Sequence, residues 1–310
     1  MNNENKSTRG RSIESNSNDL TLDQTSELVS SSLNRSIESN SNDLTLDQTS
    51  ELVSSSLNRS IHEFDFSLIC EYFSGVERQG PGSPEVTLKA LSFIDYLSAD
   101  SFIADIGCGT GGQTMVLAQH APGHVTGVDL FPDFIHLFNR NAARLHLQDS
   151  VEGVVGSMDN LPFRKESLNL IWSEGAIYNI GFEKGINEWK QFLKKDGYLA
   201  VSEVSWFTDK RPAEINDYWI DAYPEIDTIP NKVAQMQKAG YIPVATFIIP
   251  ETCWTEHFYI PQIPVQEAFL KKYAGNKTAE DLIAEQRREA QLYNTYKNYY
   301  GYVFYIGRKI

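Results

Sequence analysis

The sequence predicts an α/β fold, an open parallel sheet with helices on both faces, and three observations lead there. From about His62 onward, short apolar runs alternate with stretches of helical periodicity. The first well-defined run is followed at once by DIGCGTGG, which puts a bare turn between a strand and a helix. The next run ends in an acid, as VTGVDL. At 310 residues, with 41% apolar and 12% aromatic side chains, the chain has ample material for a buried core.

Taken in order, the chain begins with a different kind of material. The 24 residues RSIESNSNDLTLDQTSELVSSSLN occupy positions 11–34 and recur unchanged at 35–58. Two polar, serine-rich copies with a few leucines cannot build the continuous apolar face of a repeat array, so 1–61 is expected to be a disordered extension with a tandem duplication. Leu22, Leu28, Val29 and Leu33 could line a short amphipathic helix opened by Thr21. The domain proper is expected over 62–310. PEVTLKALSFIDYL, from Pro84, has apolar residues at helical spacing and a proline suited to a first turn, and should lead into the first strand. Strands are expected near 102–106, 124–129, 151–155, 168–173 and 198–204, with helices between them. Two later strands, 242–249 and 302–306, bracket an insertion that ends in a polar helical stretch, 279–297.

Composition excludes several function classes. Cys70, Cys108 and Cys253 are an odd set without CxxC or Cys/His spacing, so neither a disulfide framework nor a metal site is expected. The net charge of −14 opposes a partner whose affinity comes from neutralising phosphates, and nucleic acid is not expected. No apolar stretch approaches the roughly 20 residues of a membrane span, and no signal peptide is visible, so a cytoplasmic location is expected.

GCGTGG satisfies GxGxxG, and a glycine turn of this kind lets backbone N–H groups approach a nucleotide-like ligand. The loop alone does not choose between nicotinamide dinucleotides and S-adenosylmethionine (SAM). Asp129, at the end of the second strand, could bind two ribose hydroxyls through its two oxygens, and it serves either ligand. After the third strand comes GSMDNLPF, from Gly156, and then LNLIWSEGAIYNI, from Leu168. With these motifs in order, the chain from about residue 64 to its end resembles the class I SAM-dependent methyltransferases. Within them it is most similar to bacterial small-molecule enzymes of the ubiquinone/menaquinone-methylating type.

That resemblance implies a doubly wound, Rossmann-like sheet of seven strands, mostly parallel with the last antiparallel, carrying helical insertions at about 207–230 and 250–299 as a substrate cap. It implies SAM as cofactor and S-adenosylhomocysteine (SAH) as product. Gly107, Cys108, Gly109, Gly111 and Gln113 would pass beneath the methionine part, with Asp105 orienting the loop and the ammonium group. Asp129 and Leu130 would take the ribose, Ser157, Met158 and Asp159 the adenine, and Glu174 and Gly175 the methionyl end. Asn169 stands where an aspartate is common in that family, at a position inside a strand. Tyr72 and Arg78, before the first core helix, are candidates for a cover, Arg78 through the cofactor carboxylate. Cys108 reads as a small packing residue.

Methyl transfer from a sulfonium needs alignment more than a conspicuous catalytic group. His257, Tyr178 and Glu174 are the candidates for a catalytic role, and Tyr178, Trp206, Tyr223, Trp254 and His257 for the acceptor wall. Trp254 and His257 in CWTEHFY offer a stacking face and a base, although each aromatic is also an ordinary core residue. SEGA stands where base-methylating enzymes carry an NPPY-like sequence, which favours a small-molecule acceptor. The alternatives are an NAD-dependent oxidoreductase and a non-catalytic SAM-binding module. Tyr293, Tyr296, Tyr299 and Tyr300 follow helical spacing and could form a homodimer face or pack on their own domain.

Overall fold

The computed structural model describes residues 66–310, so the duplicated segment and its short amphipathic helix lie outside the described residues. Each predicted strand is present. β1 (Phe102–Ile106), β2 (His124–Asp129), β3 (Val151–Val155) and β4 (Leu168–Glu174) are followed by β5 (Leu193–Trp206), β6 (Asp227–Thr228), β7 (Tyr241–Ile248) and β8 (Tyr300–Lys309). They form one sheet in the order β3-β2-β1-β4-β5-β8-β7, with the two-residue β6 pairing the outer part of β5. β8 runs antiparallel to both β5 and β7, whereas β1 to β5 pair parallel. This is the predicted doubly wound sheet, with β6 as a small addition. Its order turns outward in both directions from the β1/β4 pair, the switch point where such sheets leave a crevice at the strand carboxyl ends.

Sequence explains most of these elements directly. β1 reads FIADI and is buried at four of its five positions, as a strand covered on both faces must be. β5 and β8 are longer than predicted because they pair continuously from Tyr198↔Arg308 to Trp206↔Tyr300. Asn169 does more than occupy a strand position: its side-chain oxygen accepts from the Phe102 N–H at 3.1 Å and from Lys194 Nζ at 2.8 Å.

The helices are α1 (Phe66–Ser74), α2 (Pro84–Leu91), α3 (Gly112–His120), α4 (Pro132–Arg144), α5 (Phe182–Trp189), α6 (Ala213–Ala222) and α7 (Ile229–Lys238). A short α8 (Thr252–Trp254) runs through a π-helix, Thr255–Tyr259, into α9 (Ile260–Lys272), and α10 (Lys277–Tyr296) precedes the last strand. α2 starts as predicted, with Ser83 accepting from the Val86 N–H and proline in the first turn, but it stops at Leu91 instead of running on to Leu97. Tight turns at Phe93 and Ile94 close it, and Tyr96 takes a left-handed backbone with φ 63°.

One apolar layer packs around Ile103, Val125, Phe138, Trp172 and Phe304, and a second, on the other face, around Ile106, Ile171, Phe182, Trp189 and Tyr305. A third cluster joins α1 to α9 and α10 through Leu68, Tyr72, Phe269, Ala279 and Ile283. Tyr293 and Tyr300 are 4% and 0% exposed, and Tyr293 stacks on Trp254 at 4.3 Å, so these two tyrosines pack inside their own domain instead of forming a face for a second copy. No helix of the described residues is long and apolar enough to cross a membrane.

Candidate functional site

The glycine loop leaves β1 at the switch point and enters α3. Gly107 holds φ 72°, and a Cβ built on it would lie 2.3 Å from the Ala176 Cβ, so the loop after β4 closes against bare backbone there. Gly109 holds φ 55°, and a Cβ there would meet the Gln79 side-chain oxygen at 2.1 Å. Both positions need a residue without a side chain. Asp129 anchors the same turn: one carboxylate oxygen accepts from the Gly109 N–H at 2.9 Å and the other from the Phe131 N–H at 3.0 Å. Burial raises its pKa. Leu130 follows it at the exit of β2, and Gln113, nearly buried in α3, donates to the Cys108 carbonyl at 3.4 Å. Cys108 is 1% exposed, and burial pushes its thiol well above the ordinary range, so it packs in the first layer as read from the sequence.

Asp105, at the end of β1, is completely buried. Its Oδ2 accepts from the Thr114 hydroxyl at 2.5 Å, while its Oδ1 has no hydrogen-bond partner. An acid so placed prefers its neutral form: burial, with the Glu174 charge adding to it, raises the pKa from 3.8 to about 7 despite the Thr114 hydrogen bond. The native state thus binds a proton that the unfolded chain has released above about pH 4. Asp105 contributes stability below that pH and loses it as pH rises through 7. Asp105→Asn, which carries no proton to lose, is expected to gain stability relative to wild type between pH 5 and pH 8. Denaturant titrations at both pH values measure this; a constant difference between the two proteins would contradict it.

The β3 exit forms the next wall. The Met158 methyl lies 3.4 Å from where a Gly107 side chain would begin, and the Met158 carbonyl accepts from the Trp189 indole at 2.9 Å. Ser157 Oγ accepts from the Asp159 N–H at 3.3 Å. The Asp159 carboxylate is paired with Lys184, 2.5 Å away on α5, a partner that sequence reasoning did not name.

The segment before α2 lies directly on the glycine loop. Arg78, 8% exposed, pairs through its guanidinium with Glu174 Oε2 at 3.2 Å and donates to Thr87 Oγ1 at 3.1 Å. Glu174 Oε1 accepts from the Thr87 hydroxyl at 2.6 Å and the Trp172 indole at 3.0 Å. These two candidates are therefore brought together, and each satisfies the other. Gln79, which sequence reasoning passed over, makes the closest contact: its oxygen accepts from the Thr110 N–H at 3.0 Å and its amide donates to the Phe73 and Val76 carbonyls. Tyr72 sits elsewhere. Its ring packs on Phe73 and Phe269, and its hydroxyl meets Gln262 and Gln266, so it joins α1 to α9 in the third cluster.

On the acceptor side, Gly175 has φ 61° and its N–H bonds Ser202, while a Cβ on it would meet the Tyr302 ring at 2.7 Å. Tyr178 follows on a 3-10 turn, is 42% exposed, and packs edge-on to Tyr223 with centroids 6.0 Å apart. Other wall candidates turn out to be core. Trp206 is covered by the Arg211 guanidinium, 4.0 Å from its ring, and Tyr223 is engaged by Lys232. Trp254 is 1% exposed and packs among Tyr293, Tyr302 and Tyr300. His257 is half-buried on the π-helix.

Two further groups had no signal in the sequence. Glu203 on β5 and Lys232 on α7 are both fully buried and pair at 3.5 Å. On α10, Glu289 accepts from the Tyr259 hydroxyl at 3.0 Å.

Residues 104–201 match the family model described as a methyltransferase domain. The erythromycin 3''-O-methyltransferase of Saccharopolyspora erythraea is 28% identical over 161 residues, 50% of this chain and 48% of that protein. The ribosomal protein arginine N-methyltransferase rmt3 of Schizosaccharomyces pombe is 26% identical over 51% of this chain and 29% of its own length. The chain thus spans under half the length of these curated relatives. Among solved structures, a SAM-dependent methyltransferase from Geobacter sulfurreducens in complex with SAH superposes with a TM-score of 0.69 at 16% identity, covering 79% of this chain and 98% of that one. At that identity the likeness concerns the fold.

Proposed function

We propose, from the premise that residues 104–201 carry a class I SAM-dependent methyltransferase domain, that this chain binds SAM at the glycine loop and methylates a small-molecule acceptor. The observation that carries the reading is the loop itself, bare at Gly107 and Gly109, between two buried acids. The residues fit the cofactor: Asp105 keeps an unpartnered buried oxygen for an ammonium group, and Asp129 keeps lone pairs on both oxygens for vicinal hydroxyls. Met158, beside Gly107, offers an apolar surface for an adenine ring.

When bound, SAM supplies a methyl group on a sulfonium that leaves as a neutral thioether. The chain's own contribution is placement. The Arg78–Glu174 pair and Gln79 hold the N-terminal segment on the loop and keep water from it, and the 207–230 and 250–299 insertions form the cap over the acceptor. Tyr178 and Tyr302 line the side reached from Gly175. The relatives are named for unlike acceptors, erythromycin in one and a ribosomal protein in the other, so the choice of a small molecule rests on this chain's own acidity and its SEGA sequence after β4.

The test is SAH formation from SAM over a panel of small acceptors, with Asp129→Ala as control. Losing Asp129 removes the ribose partner and releases the Gly109 N–H, and SAM affinity is expected to fall about 100-fold. Unchanged affinity in the variant would place the cofactor elsewhere. Binding of SAM without turnover of any acceptor would leave a SAM-binding module.

A further inference from the structure

The insertions, β8 and the turn after β4 bring several tyrosines together beside two acids of α10: Glu285, which accepts from Tyr218 at 3.4 Å and pairs with Arg288, and Glu289, which has no such cation. Glu289, on α10, accepts from Tyr259 at 3.0 Å; the Tyr259 ring lies 6.1 Å from Trp254 and 6.0 Å from Tyr293, and Trp254 packs in turn against Tyr300 and Tyr302. Behind burial, the Glu289 charge helps to raise the pKa of Tyr178 and Tyr302. Tyr302 is the ring that closes on Gly175, and Tyr178 is the exposed member, so the cluster adjoins the proposed methyl-transfer side. Among the described residues no lysine or arginine forms an ion pair with Glu289. Arg287, two positions earlier, donates to Gln266, and Arg288 lies over the Tyr218 ring. Burial, with Glu285 adding its charge, raises the Glu289 carboxyl to about 7 against the Tyr259 hydrogen bond, as expected of an acid that lacks a cation.

Two independent features mark the same place. Tyr259 closes a five-residue π-helix, a rare conformation frequent at functional sites, and this segment brings its hydroxyl to Glu289. The Trp254 indole N–H, at 1% exposure among Tyr293, Tyr300 and Tyr302, has no hydrogen-bond partner. Trp254 is joined to Glu289 through Tyr259, whose ring lies 6.1 Å from its own, and a buried donor left unpaired there is a costly arrangement for structure alone. Electron-rich rings around a carboxylate attract an organic cation, through the ring faces and through charge.

We propose that the acceptor is a small amine, recognised as its ammonium by Glu289 and the tyrosines around it. The proposal rests on the SAM reading above, and it assigns acceptor choice to Glu289 and the aromatics around it instead of the glycine loop and the strand-end motifs of the sheet. Neutral and anionic analogues are rejected because they leave Glu289 without its cation or bring a second negative charge to it.

The test is calorimetric titration of the full-length protein with benzylamine and phenethylamine, against benzyl alcohol and phenylacetate of similar size, with SAM titrated separately. The amines are expected to bind at least about 10-fold more tightly than the alcohol, with no phenylacetate binding. Glu289→Gln, which keeps the shape, is expected to abolish that preference and to leave SAM affinity within about twofold. Tyr259→Phe should weaken amine binding by a smaller factor. Equal binding of amine and alcohol, an unchanged amine affinity in Glu289→Gln, or saturation by SAM with no amine bound would each overturn the proposal. A wild-type protein that fails to bind SAM would instead overturn the cofactor reading on which it rests.

Discussion

Replacing Lys232 with methionine is expected to cost the protein about 3–5 kcal/mol at pH 8, because the buried Glu203 carboxyl must take up a proton to stay inside and the Tyr223 hydroxyl and Glu225 carbonyl lose their donor. Both side chains are fully buried, and the lysine ammonium lies 3.5 Å from Glu203 Oε1, 2.9 Å from the Glu225 carbonyl and 4.5 Å from the centre of the Phe182 ring. Burial raises the Glu203 carboxyl from 4.5 to about 7 even with the lysine beside it. Without that cation it rises further, so the folded variant holds a proton that the unfolded chain has lost. The deficit should therefore grow between pH 6 and pH 8. Glu203→Gln combined with Lys232→Met should recover most of the loss, because no buried charge remains. Urea unfolding of the three proteins at both pH values measures this, and a Lys232→Met protein as stable as wild type would show that the pair is not isolated from water.

The second large effect is expected at the glycine loop. Gly107→Ala puts a methyl group 2.3 Å from the Ala176 Cβ on a backbone with φ 72°, and neither atom belongs to a side chain that can swing away. Backbone strain of about 1–3 kcal/mol is the smaller consequence. The larger one is that Ala176 and the turn after Gly175 must move, which opens the cradle and should remove measurable SAM binding. Gly109→Ala is the internal comparison: its methyl meets the tip of the Gln79 side chain, which can move aside at the cost of its hydrogen bonds to Thr110, Phe73 and Val76, so it should weaken binding less than Gly107→Ala, where a Cβ and its backbone must shift. Equal effects at the two positions would mean that the close approach to Ala176 does not matter.

Local chemistry made much of this site legible in the sequence. Asp105, the glycines and Asp129 lie within one strand–turn–helix–strand unit, where a turn needing no side chain and an acid at a strand end leave direct marks. The sheet followed from the same alternation, and its reversed last strand from the resemblance the motifs carried. Contacts between distant segments left no such marks. Arg78 and Glu174 are 96 positions apart, and nothing in either neighbourhood shows that one guanidinium is spent on the other. Tyr72 was singled out for its position before the core, yet its partners, Gln262 and Gln266, belong to an insertion whose packing only the tertiary structure reveals. Glu203 lies in a strand and Glu289 in a polar helical stretch, and neither position reveals in the sequence that the acid will be buried. Trp206 and Trp254 show the converse: aromatics in the right segments became core because the long β5–β8 pairing and α10 cover them.

The most direct test of the central claim is calorimetric titration of the full-length protein with SAM, SAH and NAD. Saturable one-to-one binding of SAM and SAH, with none of NAD, is the result this account predicts. Binding of NAD alone would leave the fold intact and contradict the function assigned to the glycine loop.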